Sequence, residues 1–261
     1  MTETTAQPTT DALNADFWDE LCGSNLAQSL GISDRTSESL RRFDDAYLGA
    51  YPYLVRYVDA LDLRGRSVLE IGLGYGTLGQ LLIARGCDYH GLDIAPGSVA
   101  MMRHRVRLAG GAEDKVQEGS ALAIPLEDDA VDVVVSIGCL HHTGDLPGAI
   151  GEVRRVLRPG GTAFVMLYNR HSFRRLKHVA ARRSGLGARY DANATGEAPP
   201  HTDFVSRREV RRLFGDFARV RIESQNFDPI IRHGRVVIER ERLLGNVARV
   251  AGLDLYVHAR A

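Results

Sequence analysis

Cysteine is scarce in this chain: Cys22, Cys87 and Cys139 are odd in number and form no C-x-x-C pair. That pattern argues against a disulfide framework and against structural zinc, and it points to a reducing compartment such as the cytoplasm. Long apolar runs are missing as well, since no stretch approaches the ~20 residues needed to cross a bilayer. The polar opening Met1-Thr2-Glu3-Thr4-Thr5 lacks the apolar core of a secretory signal. No charge sign dominates, with 33 basic residues against 33 acidic ones, so no global field favours nucleic acid or a membrane. Lysine is nearly absent: Lys115 and Lys177 stand alone among arginines, which hints at a GC-rich genome and says little about chemistry. The expectation is a soluble, cytoplasmic protein, monomeric or homodimeric, with no membrane partner.

What is present is an enzyme-sized α/β unit. At 261 residues and 44% hydrophobic content, the chain can bury a full core as one domain. Its most informative stretch is Val68-Leu69-Glu70-Ile71-Gly72-Leu73-Gly74-Tyr75-Gly76-Thr77-Leu78-Gly79. A short buried strand runs into alternating glycines, with a carboxylate two places before the first. Glycine suits such a turn because a side chain would block a cofactor's approach to the backbone. Gly74, Gly76 and Gly79 also satisfy the dinucleotide pattern G-x-G-x-x-G, a weak signal alone. A second strand, Tyr89-His90-Gly91-Leu92-Asp93, ends in a carboxylate placed to accept from two ribose hydroxyls, which suits a nicotinamide dinucleotide or S-adenosylmethionine equally.

The discrimination lies further on. Val131-Asp132-Val133-Val134-Val135-Ser136 reads as a strand, Leu140-His141-His142 as a turn, and Glu152 to Arg158 as a helix. Pro159-Gly160-Gly161 then turns into the strand Thr162-Ala163-Phe164-Val165-Met166. With these four motifs in order, residues 66–168 resemble the class I S-adenosylmethionine-dependent methyltransferases, in particular the small-molecule subgroup known as methyltransferase type 11. The resemblance implies a Rossmann-like seven-stranded mixed sheet of order 3-2-1-4-5-7-6 with strand 7 antiparallel, helices on both faces and an N-terminal helical cap. It implies S-adenosylmethionine as cofactor, leaving as S-adenosylhomocysteine, held by Glu70, Gly72, Leu73, Gly74, Gly76, Thr77, Asp93, Ile94, Ser120, Ala121, Ser136 and Ile137. Ser120 departs from the pattern, because many relatives carry an acidic residue there and a hydroxyl accepts more weakly than a carboxylate.

The implied reaction is displacement of a sulfonium methyl by a small-molecule acceptor, a hydroxyl first, with nitrogen and carbon behind it. His141 and His142 follow strand 4, where the methyl should lie, and an imidazole of ordinary pKa ~6.5 can take a proton at neutral pH. Tyr168, Asn169 and His171 leave strand 5 beside the same place and could orient the acceptor, as could a cap tyrosine such as Tyr47. His141, His142 and Asp145 superficially resemble a two-histidine, one-carboxylate metal set, but no carboxylate-rich motif accompanies them and no metal is expected. Cys139 reads as a packed small hydrophobe.

Two other readings stay open. RNA or DNA methylation has only the basic stretch Arg170–Arg183 behind it, and the N/D-P-P-Y/F motif of base-amine enzymes is replaced by Ser136-Ile137-Gly138-Cys139. A nicotinamide oxidoreductase would leave Glu70 and the Arg158-Pro159-Gly160-Gly161 turn unexplained.

Along the chain, residues 1–10 read as a disordered tail and 11–60 as a helical cap holding Phe17, Trp18, Phe43, Tyr47, Tyr51, Tyr53 and Tyr57. Residues 61–261 read as the catalytic domain. Phe173–Arg183 is expected to be a basic helix, Ser184–Pro200 a loop, and Arg207–Phe214 a helix capped by Ser206 with Glu209. Strands are expected near Ala218–Ser224 and Leu253–Ala259, separated by an insertion, 226–252, that carries one amphipathic helix over Val236–Val250.

Overall fold

The computed structural model describes residues 9–21, 24–176, 179, 198–232 and 235–261. Four helices come first: α1 (Thr10–Leu21), α2 (Ser24–Ser29), α3 (Ser37–Ala50) and α4 (Tyr53–Asp59). Helix α3 starts at Thr36, whose hydroxyl accepts from the Ser39 amide at 3.3 Å, satisfying one of the donors a helix start leaves free.

Alternation then begins. Strand β1 (Ser67–Ile71) leads to α5 (Thr77–Ile83), β2 (Asp88–Asp93) to α6 (Pro96–Leu108), β3 (Val116–Glu118) to β4 (Val131–Ile137), and α7 (Leu146–Val156) to β5 (Leu157–Tyr168). Helix α8 (Arg207–Leu213) precedes β6 (Arg219–Gln225). A two-stranded ribbon of β7 (Ile230–Arg232) and β8 (Arg235–Ile238) follows, then short helices α9 (Arg240–Leu243) and α10 (Asn246–Ala251), and finally β9 (Asp254–Arg260). The large sheet has the order β3-β2-β1-β4-β5-β9-β6, with β9 antiparallel to both neighbours. This is the order and polarity that the resemblance implies.

Both faces of the sheet are covered, which explains why its central strands are continuous apolar runs. Val68, Val133, Val135 and Phe164 pack against α4, α5 and α6 on one side, while Leu69, Val134, Ala163 and Val165 pack against α7 and α8 on the other. The Pro159-Gly160-Gly161 turn is a bulge inside β5, where pairing with β4 shifts between Val131 and Val133 and Gly160 takes φ +74°. Helix α8 carries the reciprocal Ser206/Glu209 cap.

The insertion departs from expectation. In place of a single helix over Val236–Val250, the chain forms the β7–β8 ribbon and two short helices. Three consecutive β-branched residues, Val236, Val237 and Ile238, favour the extended form, and Gly245 at φ +93° separates the helices. At the other end, Thr10 already belongs to α1, and the Thr9 hydroxyl accepts from the Ala12 amide. Residues 173–176 are helical; the rest of the expected basic helix, most of the Ser184–Pro200 loop and the first eight residues lie outside the described residues.

Candidate active site

The parallel strands all end on one side of the sheet, where open α/β sheets place their ligands. A cavity of about 260 Å³ opens there. The glycine turn after β1 forms its floor. Gly72, Gly74 and Gly76 have φ of +85°, +51° and +81°, a region that side chains avoid. A Cβ on Gly72 would stand 2.4 Å from the Cys139 Cβ. Gly79, one turn into α5, is needed for helix packing: a Cβ there would meet Glu70 Oε2 at 2.6 Å and the Tyr89 hydroxyl at 2.7 Å.

Asp93 ties β2 to that turn. Its Oδ2 accepts from the Leu73 amide at 2.6 Å and its Oδ1 from the Ala95 amide at 2.9 Å. The Gly74 and Ile94 amides act on the same carboxylate. Burial pushes its pKa up and the surrounding amides oppose the shift.

Glu70 is fully buried in the cavity wall. Tyr89 donates to its Oε2, while Oε1 has no partner among the described residues. Burial raises its pKa to about 8, against the Tyr89 hydrogen bond and with help from the Asp93 charge. Such a carboxyl awaits a positive charge. S-adenosylmethionine carries cationic centres, a ribose diol and an adenine, so the residues fit that cofactor.

The cap closes the far side. Asp11, Asn14, Trp18, Phe43 and Tyr47 line the cavity from α1 and α3. An ion pair locks α3 in place: the buried Arg105 of α6, 1% exposed, donates through Nη1 and Nη2 to both oxygens of the half-buried Asp44 at 2.8 Å. Its Nε donates to the Tyr75 carbonyl at 2.8 Å, and the Thr77 hydroxyl donates to Asp44 at 2.6 Å. The glycine turn, α5, α6 and the cap therefore share one polar network.

The two histidines have different surroundings. His142 lines the cavity beneath Trp18, ring centroids 4.6 Å apart. Its Nδ1 lies 2.7 Å from the His201 carbonyl, which can only accept, so Nδ1 carries the proton and Nε2 keeps a lone pair. Nε2 has no partner among the described residues. Burial lowers the His142 pKa to about 4, so the ring is neutral across the physiological range. His141 is fully buried, does not line the cavity, and makes tilted ring contacts with His142 at 4.3 Å and Tyr168 at 4.0 Å. Burial holds it well below the ordinary histidine range.

Glu70, Gly72, Leu73, Gly74, Thr77, Asp93, Ile94, Ser120, Ala121, Ile137, Tyr47 and His142 thus share one cavity wall. Others do not line it. The Ser136 hydroxyl donates to the Ile71 carbonyl at 2.9 Å and knits β4 to β1. Gly76 is the N-cap of α5. Asn169 donates to the Gly252 carbonyl at 2.8 Å and accepts from the His171 amide; His171 is exposed. Asp145 caps α7, and no group of metal-holding side chains occurs among the described residues. Arg170 pairs with Glu209, and Arg174 with Asp228. Asn14 and His201 were not legible as site residues, because one sits in an unpatterned helix and the other contributes only a carbonyl.

A family model for a methyltransferase domain, Methyltransf_11, matches residues 69–165. A demethylmenaquinone methyltransferase of Thermus thermophilus is 36% identical over 114 residues, 42% of this chain and 51% of that protein. The chain spans about half the length of that relative. A solved methyltransferase of Thermotoga maritima, titled a possible histamine N-methyltransferase, superposes with TM-score 0.56 at 19% identity, over 84% of this chain and 96% of that one. The [4+2]-cyclase SpnF superposes with TM-score 0.59 at 16% identity, over 97% and 96%. Residues 69–165 are a class I methyltransferase domain whose cofactor is S-adenosylmethionine. No helix among the described residues is long and apolar enough to cross a membrane.

Proposed function

We propose that the chain is a small-molecule methyltransferase acting on a hydroxyl, with His142 as the base. The observation that carries this reading is the fixed tautomer of His142, a residue that lines the cavity: the His201 carbonyl holds Nδ1–H and leaves Nε2 as a buried proton acceptor with no partner among the described residues. S-adenosylmethionine, when bound, supplies a methyl group activated by its sulfonium. Glu70, the glycine turn and Asp93 would hold it. The cap, the end of β4 and the turn that follows it hold the acceptor, and positioning lowers much of the barrier. A hydroxyl becomes strongly acidic as its oxygen is alkylated, so a ring of low basicity suffices to take the proton at Nε2. His141 then serves as a positioning residue through its ring contact with His142.

The cavity wall carries Asp11, Glu70 and Asp93, and among the described residues neither lysine nor arginine lines it. That composition weighs against a polyanionic substrate such as RNA or DNA. Because the same fold is found in a cyclase, fold alone does not name the reaction. The test is direct: calorimetric binding of S-adenosylhomocysteine, then transfer of a labelled methyl to a panel of hydroxyl acceptors. Binding of NADH in preference to S-adenosylhomocysteine, or methyl transfer to RNA alone, would overturn the reading.

A further inference from the structure

Two residues that line the cavity, His142 and Asn14, each keep a buried polar atom with no partner among the described residues, and both atoms can only accept. The first is His142 Nε2. The second belongs to Asn14 of α1, which is 4% exposed. Its Nδ2 donates to the His142 carbonyl at 2.7 Å, which fixes the amide's orientation because a carbonyl cannot donate. Oδ1 is left on the other side, buried, with no partner among the described residues. A buried acceptor without a donor costs about 1–3 kcal/mol, so two on residues that line one cavity point to donors brought by a ligand. From the cap, Trp18, Phe43, Tyr47 and the Asp11 carboxylate line the same cavity.

We infer that the acceptor substrate is an uncharged, flat molecule with two hydrogen-bond donors, the one to be methylated meeting His142 Nε2 and the second meeting Asn14 Oδ1. This rests on the proposed function and sharpens it. Asn14 becomes the specificity-determining residue: it reads a neighbouring donor that is not itself methylated. A carboxylate or phosphate on the substrate would face acceptors and Asp11, with neither lysine nor arginine in the wall among the described residues, so anionic analogues are rejected. Trp18, in ring contact with His142, is the chain's single tryptophan, and its emission therefore reports occupancy of this subsite.

The experiment saturates the protein with S-adenosylhomocysteine and follows Trp18 emission while adding benzene-1,2-diol, 2-methoxyphenol or 1,2-dimethoxybenzene. These rings have nearly one shape and carry two, one and no hydroxyl donors. Each donor removed should weaken binding roughly 3- to 10-fold, the range for one hydrogen bond. In Asn14→Leu the diol should lose its advantage over the monomethyl ether, and 3,4-dihydroxybenzoate should bind the native protein more weakly than the diol. Equal affinity across the series, a diol advantage unchanged in Asn14→Leu, tighter binding of the benzoate, or no response to any ring would each overturn the inference. Calorimetry with S-adenosylhomocysteine separates the two levels, since its failure strikes the proposed function while a flat donor series strikes only this subsite. Should Asn14→Leu not fold, the series on the native protein decides alone.

Discussion

Glu70 should couple cofactor binding to proton release. With a pKa near 8, roughly nine in ten Glu70 side chains are protonated at pH 7 in the ligand-free protein, by the ordinary titration relation. A bound cation next to the free Oε1 returns the pKa toward the usual carboxylate range. Binding of S-adenosylhomocysteine, which keeps a cationic amino group, should then expel about 0.9 proton at pH 7 and about 0.1 at pH 9. Calorimetry in phosphate and in Tris at the same pH reads this as the slope of apparent enthalpy against buffer ionisation enthalpy. Affinity should fall by up to ~10-fold, about 1.4 kcal/mol, for each pH unit below 8. Stability of the ligand-free protein has the matching sign. Because the folded pKa is raised, Glu70 contributes stability below its unfolded pKa and loses it as pH rises through about 8; the ligand-free Tm should drop across that window and S-adenosylhomocysteine should restore it. Glu70→Gln should abolish both the proton release and the pH slope. A native protein that releases no proton on binding would refute the argument.

Three further outcomes can be measured. His142→Ala should lower kcat by about 10²–10⁴-fold on a hydroxyl acceptor with little change in S-adenosylhomocysteine affinity, and the native kcat, read at saturating cofactor at each pH, should stay flat from neutral pH down toward about 4, where the buried ring charges; a rise centred near 6.5 would place the base elsewhere. Asp44→Ala strands the buried Arg105 guanidinium and should cost about 3–5 kcal/mol in denaturant unfolding, most of it recovered in Asp44→Ala/Arg105→Met; a near-neutral single variant would remove the lock between cap and glycine turn. Gly72→Ala forces a Cβ to 2.4 Å from Cys139 at φ +85° and should cost about 2 kcal/mol or more, with loss of cofactor binding in whatever fraction folds.

Where local physics and global fold agree, the sequence is legible. Valine-rich β4, the glycines after β1 and the carboxylate ending β2 each have one role that residue type nearly dictates, and together they carry the resemblance from which the order of the large sheet follows. The ribbon at Ile230–Ile238 was not legible, because apolar residues at helical spacing in 236–250 compete with a β-branched run, and the short-range preference prevails. Ser136 shows a different limit. Its place at a strand end matches a cofactor contact, yet its hydroxyl is taken by the Ile71 carbonyl one strand away, a partner that only the parallel register brings within reach.

The acceptor half of the site was hidden for a related reason. Adjacent in sequence, His141 and His142 read as equivalent, and what separates them comes from far along the chain. Trp18 and Asn14 arrive from α1, and the His201 carbonyl arrives on the segment that runs beside β5, where Val205 bridges Asn169 and the Asp203 amide donates to the His141 carbonyl. A carbonyl leaves no mark in a sequence, since every residue has one. Yet this carbonyl fixes the tautomer of His142, and the tautomer decides that the ring's other nitrogen carries a lone pair and not an N–H. The chemistry of the cofactor half is therefore written in residue types, and that of the acceptor half in which backbone groups the fold turns toward a single ring.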